Sequence, residues 1–234
     1  MIRKPGTLIQ AMIWLQNLCK SYVLRGARKV VARNLNAEFP SGVTVALLGR
    51  NGAGKSSLLA MIAGTLAPDS GRVVKTGSVS WPVGFAGAFH PELTGAQNTR
   101  FVARIYGVDT DSLLAFVEDF AELGRHFHLP FHTYSSGMKG RLSFGVSMGI
   151  RFDTYLVDES TATGDGAFKT KARLVFNARM RDSGALVVTH SMAQARAICQ
   201  AGAVLEDGRL TYFDRVEDAI AHHDAVIGGD PADG

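Results

Sequence analysis

Residues 49–56 read Gly49-Arg50-Asn51-Gly52-Ala53-Gly54-Lys55-Ser56 and meet every fixed position of the pattern G-x-x-x-x-G-K-[ST]. Glycines let the backbone curl so that successive N–H groups point inward at an anion, and a following helix adds the positive end of its dipole. Lys55 is placed to reach the β- and γ-phosphates of a nucleotide, and Ser56 to ligate Mg²⁺; Ser57 continues into the same helical turn. From average residue usage, a chance match somewhere in a chain of this length is on the order of 1%. The context agrees with the pattern: the apolar run Val43–Leu48 precedes it as a strand, and Lys55–Ala63 follows as a helix with Gly64 as its stop. A strand that feeds a phosphate loop and then a helix commits the chain to an α/β core.

The remaining elements fit that core. Val30–Phe39 reads as a strand that turns at Pro40-Ser41-Gly42. Val73-Val74 and Val79-Ser80-Trp81 are short strands on either side of Gly77. Helical periodicity then takes over in Thr94–Tyr106, Asp111–Leu123 and Ser136–Gly149. Strand signals return at Tyr155-Leu156-Val157 and Ala185–Val188, apolar runs of the kind that form buried parallel strands, with a helix over Phe168–Asp182 between them. Asp207-Gly208 between Ala203–Glu206 and Arg209–Tyr212 marks a hairpin. The order predicts an α/β core carrying a helical lobe. Residues 1–11 read as an N-terminal extension, with Met12 as an alternative start, 12–223 as one domain with its helical lobe at about 84–152, and 224–234 as a disordered tail.

Composition narrows the setting. The formal charge is +4 and its Lys and Arg are scattered rather than blocked, so nucleic acid is not an expected partner. No run approaches the ~20 apolar residues of a membrane-spanning helix. Cys19 and Cys199 lack metal-ligand spacing and read as free thiols of a reducing compartment.

Two further strand ends carry chemistry. Asp158, at the end of Tyr155-Leu156-Val157, is placed to orient Mg²⁺. Glu159, one residue on, is placed to polarise the water that attacks the γ-phosphate; a positioned base is typically worth 10²–10⁴ in rate. His190 follows Val187-Val188-Thr189 in the same manner and is a candidate γ-phosphate sensor.

Tyr134-Ser135-Ser136-Gly137-Met138-Lys139-Gly140-Arg141 precedes the Asp158-Glu159 strand and resembles the signature segment of the ABC (ATP-binding cassette) transporter ATPases, usually Leu-Ser-Gly-Gly-Gln. Tyr134 stands for the Leu, Ser136 for the first Gly and Met138 for the Gln; Ser135 and Gly137 remain, and Ser135 or Ser136 also reads as a helix N-cap. Glu159-Ser160-Thr161-Ala162-Thr163-Gly164-Asp165 resembles that family's D-loop, and Lys20-Ser21-Tyr22 its adenine-stacking position. Ser80-Trp81-Pro82-Val83-Gly84, Leu93-Thr94-Gly95 and Ser143-Phe144-Gly145 look like the ATPases of capsular polysaccharide exporters, and Phe89–Gly95 is similar to those of O-antigen and teichoic acid exporters.

The resemblance implies a P-loop NTPase (RecA-like) α/β core with an antiparallel β subdomain and a helical lobe. It implies ATP and Mg²⁺ as cofactors, with Glu159, His190 and Lys55 catalytic and Ser56 and Asp158 at the metal. Tyr22, residues 49–57, Ser135, Ser136, Gly137 and Asp165 would touch nucleotide, with Ser135, Ser136 and Gly137 of the signature segment reaching across a homodimer that sandwiches two ATP molecules. An integral-membrane permease would dock near residues 81–106, the cargo would be lipid-linked polysaccharide, and the chain would sit peripherally on the cytoplasmic face of the bacterial inner membrane. The alternative is an ABC-class ATPase with another cargo or a non-transport role. One departure stands out: no glutamine lies between Ser80 and Glu92, where the family joins core and lobe through one. Gln97 comes later, on a helix; His90 stands in for it, or the loop uses water and backbone.

Overall fold

The computed structural model describes residues 12–24, 26–85, 87, 89–158 and 166–228. The chain opens with β1 (Met12–Leu24) and returns antiparallel as β2 (Ala27–Pro40). The ribbon is not regular. Its register shifts between Leu15 and Leu18 and again on both sides of Lys20, and Asn17 and Asn34 take positive φ there, a conformation asparagine tolerates better than most side chains. Bulges of this kind bend and twist a ribbon. β3 (Thr44–Leu48) follows, then the glycine loop, then α1 (Lys55–Ala63), which ends on Gly64 in the left-handed conformation. β4 (Ser70–Lys75) and β5 (Val79–Pro82) flank Gly77 yet join different sheets: β4 pairs with β1, whereas β5 pairs with a later strand.

Next come α2 (Gly95–Tyr106), α3 (Thr110–Ala121) and α4 (Ser136–Gly149), with 3-10 turns at Gly124–His128 and Phe131–Thr133 between the last two. The chain then re-enters the sheet as β6 (Thr154–Asp158), passes through α5 (Gly166–Met180) to β7 (Gly184–Val188), and continues as α6 (Met192–Ile198), the hairpin β8 (Ala201–Glu206) and β9 (Arg209–Phe213), and α7 (Val216–Gly228). Two of these differ from the sequence expectation. α6 is short and was not signalled by periodicity. α7 runs through Gly228, so residues 224–228, expected as tail, are helical; its face packs on β8, where the bare Gly202 lets Ala219 approach.

The larger sheet has the order β5-β6-β7-β3-β8-β9, parallel throughout except for β9. Its central strands are buried on both faces, which explains their continuous apolar runs. Alternation still divides them. Val45, Leu47, Leu156, Leu186 and Val188 point into the core shared with α1 and the three-stranded sheet β2-β1-β4. Ala46, Leu48, Tyr155, Val157, Ala185 and Val187 point into the core shared with α2–α4. The helical segment therefore has no separate core; Phe120, Phe127, Leu142 and Phe144 belong to the same apolar cluster as Trp81, Phe152 and Tyr155. Each fully buried Leu or Phe of such a core contributes about 1.5–3 kcal/mol.

Candidate functional site

Strand register assembles the site. β6, β7 and β3 lie side by side, with Asp158 level with Val188 and Leu47 level with the same Val188. The residues just past those positions, Gly49 and His190, therefore emerge beside Asp158 at the carboxyl edge of the sheet, where open α/β sheets bind ligands. The glycine loop spans this edge between β3 and α1. Gly49 (φ 145°) and Gly54 (φ 108°) are required by space as well as by dihedral: a Cβ at Gly49 would lie 2.3 Å from the Leu205 carbonyl oxygen, and one at Gly54 would lie 2.7 Å from Val31 Cβ.

Lys55 is buried, and its ammonium donates to the Gly49 carbonyl at 2.6 Å and to the Arg50 carbonyl at 2.9 Å. A buried cation needs such acceptors, and phosphate oxygens entering the loop would replace neutral carbonyls with stronger, charge-assisted contacts. Ser56 Oγ donates to Asp158 Oδ2 at 3.1 Å across the gap between α1 and β6. A hydroxyl and a carboxylate brought together in this way are hard oxygen donors that suit Mg²⁺, an ion usually held by one or two protein oxygens together with phosphates and water. Tyr22, on β1, shares a hydrogen bond of 3.1 Å with Ser57 Oγ, so the end of the ribbon is tied to the first turn of α1. Thr189 Oγ1, buried beside exposed His190, donates to Gln194 Oε1 and accepts from the Ser191 N–H, fixing the chain as it leaves β7. Glu159 and Asp165 lie outside the described residues.

The serine segment is built separately. Ser135 Oγ accepts from the Met138 N–H at 3.3 Å and caps α4, so Ser136 and Gly137 form its first turn. Ser135, Gly137, Met138 and Arg141 line a cavity of about 430 Å³. This segment is fastened to the loop before α2, because the Phe131 N–H donates to the Leu93 carbonyl and the His132 N–H to the Pro91 carbonyl. Asn98 organises that loop. Buried on α2, its Nδ2 donates to the carbonyls of His90, Leu93 and Thr94, while its Oδ1 accepts from the His90 N–H. His90 Nδ1 accepts from the Glu92 N–H at 3.2 Å. Gln97 is engaged in a capping box with Thr94 at the start of α2. Neither the Tyr22–Ser57 contact nor the role of Asn98 was legible from spacing; an asparagine in the first turn of a helix after a Pro- and Gly-bearing loop was the available signal.

A family model described as ABC transporter matches residues 32–162. The chain belongs to the ABC transporter family. It is 46% identical over 212 residues to the polysialic acid transport ATP-binding protein KpsT of Escherichia coli, covering 89% of this chain and 95% of that protein. It is 38% identical over 215 residues to the capsule polysaccharide export ATP-binding protein CtrD of Neisseria meningitidis serogroup B, covering 92% and 100%. The ABC fold is also shared with a dimeric ATP-binding cassette solved in a post-hydrolysis state with ADP and Pi, at a TM-score of 0.71 and 21% identity over 87% of this chain and 98% of the other. That identity supports likeness of fold alone. Among the described residues of this ABC chain no helix is long and apolar enough to cross a membrane.

Proposed function

We propose that this chain is the ATP-hydrolysing subunit of an ABC transporter that exports capsular or related cell-surface polysaccharide across a bacterial inner membrane. The observation that carries the hydrolytic half is the convergence of Ser56 and Asp158, 3.1 Å apart, beside a loop whose Lys55 is already buried at its mouth. The export half rests on relatives named for polysialic acid transport and capsule polysaccharide export that match nearly end to end.

In this reading the loop from Gly49 to Ser57 holds the phosphates, Lys55 neutralises the β- and γ-oxygens, and Tyr22 meets the adenine. Ser56 and Asp158 would hold Mg²⁺, which would supply charge neutralisation on the phosphate oxygens. Glu159 accepts the proton of the attacking water and His190 contacts the γ-phosphate. Ser135, Ser136, Gly137 and Asp165 of a second copy close over the nucleotide, because the positive end of α4 attracts the phosphate that the first copy already holds. Loss of the γ-phosphate contacts reopens the pair.

An integral-membrane permease docks near residues 81–106. There Phe85, Phe101, Ile105 and Tyr106 are exposed, with Phe101 and Ile105 one turn apart on α2. The cargo is lipid-linked polysaccharide, and the chain works on the cytoplasmic face of the membrane.

The test is a pair of variants assayed for nucleotide binding and phosphate release. Lys55→Ala should weaken binding itself. Glu159→Gln should bind ATP as the wild type does and hydrolyse it at least ~10²-fold more slowly, the lower bound for a positioned base. Unchanged affinity in the first variant, or near-normal turnover in the second, refutes the assignment of that residue.

A further inference from the structure

β2 forms one wall of the phosphate loop, and its alternation decides which side chains face that loop. Residues two apart on a strand share a face. Val31 meets Gly54, where a Cβ would lie 2.7 Å from Val31 Cβ, and Lys29 meets Gly52, where a Cβ would lie 3.0 Å from Lys29 Nζ. Lys29 is also the cross-strand partner of Tyr22. Directly opposed residues of an antiparallel pair project to the same side, and Tyr22 reaches the first turn of α1 through Ser57. The ribbon thus lays a tyrosine against the helix and an ammonium against the loop.

Lys29, Arg50, Asn51 and Gly52 line one cavity of about 570 Å³, which Glu206 and Asp207 also line. Among the described residues Lys29 has no ion-pair partner.

We propose that Lys29 is a nucleotide-binding residue, a second cation that β2 delivers to the phosphate chain held by the glycine loop. The proposal rests on the reading that ATP binds there. It assigns Lys29 a role distinct from that of Lys55. Lys55 comes from within the loop and is buried; Lys29 comes from the neighbouring sheet and is solvated, so its contribution is electrostatic and sensitive to salt.

Equilibrium titration of the full chain with ATP at several salt concentrations tests this, comparing wild type with Lys29→Met, Lys29→Arg, Lys29→Glu and Lys55→Ala. Lys29→Met should bind ATP about two- to fivefold more weakly, as expected for one exposed charge contact to a polyanion, with a shallower dependence on salt. Lys29→Arg should retain near wild-type affinity, and Lys29→Glu should lose more than Lys29→Met. Because Lys29 is exposed, thermal melting of the nucleotide-free variants should match wild type. If wild type binds ATP, Lys55→Ala does not, and Lys29→Met matches wild type in affinity and salt slope, the role of Lys29 is overturned while the site stands. If wild type takes up no ATP, or Lys55→Ala binds it normally, the site itself is refuted and this proposal with it.

Discussion

Asp153 shows how much one exposed carboxylate can organise. It accepts from the Ser78 N–H at 2.7 Å and from Ser78 Oγ at 2.8 Å, and so fastens the entry of β6 to the entry of β5. The backbone donor first, and the hydroxyl second, hold its carboxyl below its ordinary value of 3.8. A depressed carboxylate stabilises the folded chain above its unfolded value, and that contribution is lost as pH falls through the lower folded value. Asp153→Asn should therefore cost about 0.5–1 kcal/mol at pH 7, the low end for charged hydrogen bonds because the group is solvent-exposed. In denaturant unfolding followed by circular dichroism, the gap between variant and wild type should narrow as pH falls below the ordinary carboxylate value of 3.8 and close once the wild-type carboxyl, held lower still, also protonates. A gap independent of pH would mean that shape, not charge, is what Ser78 recognises. Elsewhere at this scale the sequence was highly legible where chemistry depends on local spacing. Gly49, Gly54, Lys55 and Ser56 stand in one short run, in which both glycines take positive φ and Lys55 folds back onto the Gly49 carbonyl. Lys29 was not legible, because its meaning depends on facing Gly52 across a gap in sequence that only folding closes.

Among elements, α2 carries the clearest conflict between its two faces. Ala96, Val102 and Ala103 enter the core, as the amphipathic pattern requires, while Phe101 and Ile105 are left in solvent at 53% and 61% exposure. Neither contributes a buried contact to the fold, so removing them should not destabilise it; exposed apolar neighbours on one helix face suit a partner. Phe101→Ser combined with Ile105→Ser should leave the melting temperature and the basal ATPase rate of the isolated chain unchanged, yet abolish co-purification with the membrane permease. Retained co-purification would move the docking surface elsewhere. The loop that precedes α2 is tied to the serine segment by two backbone hydrogen bonds, from Phe131 and His132 to Leu93 and Pro91. A shift of α2 on docking would thus be passed to the N-terminus of α4. Periodicity revealed α2, α3 and α4. It did not reveal that β4 and β5, neighbours in sequence, belong to separate sheets, since strand partners are chosen by long-range packing.

For the whole molecule, the two halves of the proposed nucleotide site are built on different layers. The loop, Asp158 and His190 stand at the carboxyl edge of the large sheet, and Ser135–Gly137 begin α4, with a cavity of their own. Such an arrangement suits a site completed by a second copy, with nucleotide charge as the bridge. Glu159→Gln, which should retain ATP, is expected to elute as a dimer in size-exclusion chromatography with ATP and as a monomer without it. The same protein carrying Lys55→Ala as well should remain monomeric in both conditions. A dimer that forms without nucleotide, or a monomer that persists with it, contradicts closure by ATP.

The sequence alone determined the α/β class, the glycine loop between β3 and α1, the strand that ends in Asp158 and the serine cap of α4, because each depends on residues within a turn or a strand of one another. Tertiary structure decided the rest. It set Ser56 against Asp158 and Tyr22 against Ser57, sent β4 and β5 to different sheets, extended α7 by packing it on β8, and aimed Lys29 at Gly52. The physical reason is common to all of these: strand register and the burial of opposite sheet faces are settled between segments distant in the chain, and a shift of one residue in β1 or β2 would turn Tyr22 or Lys29 to the other face of the ribbon.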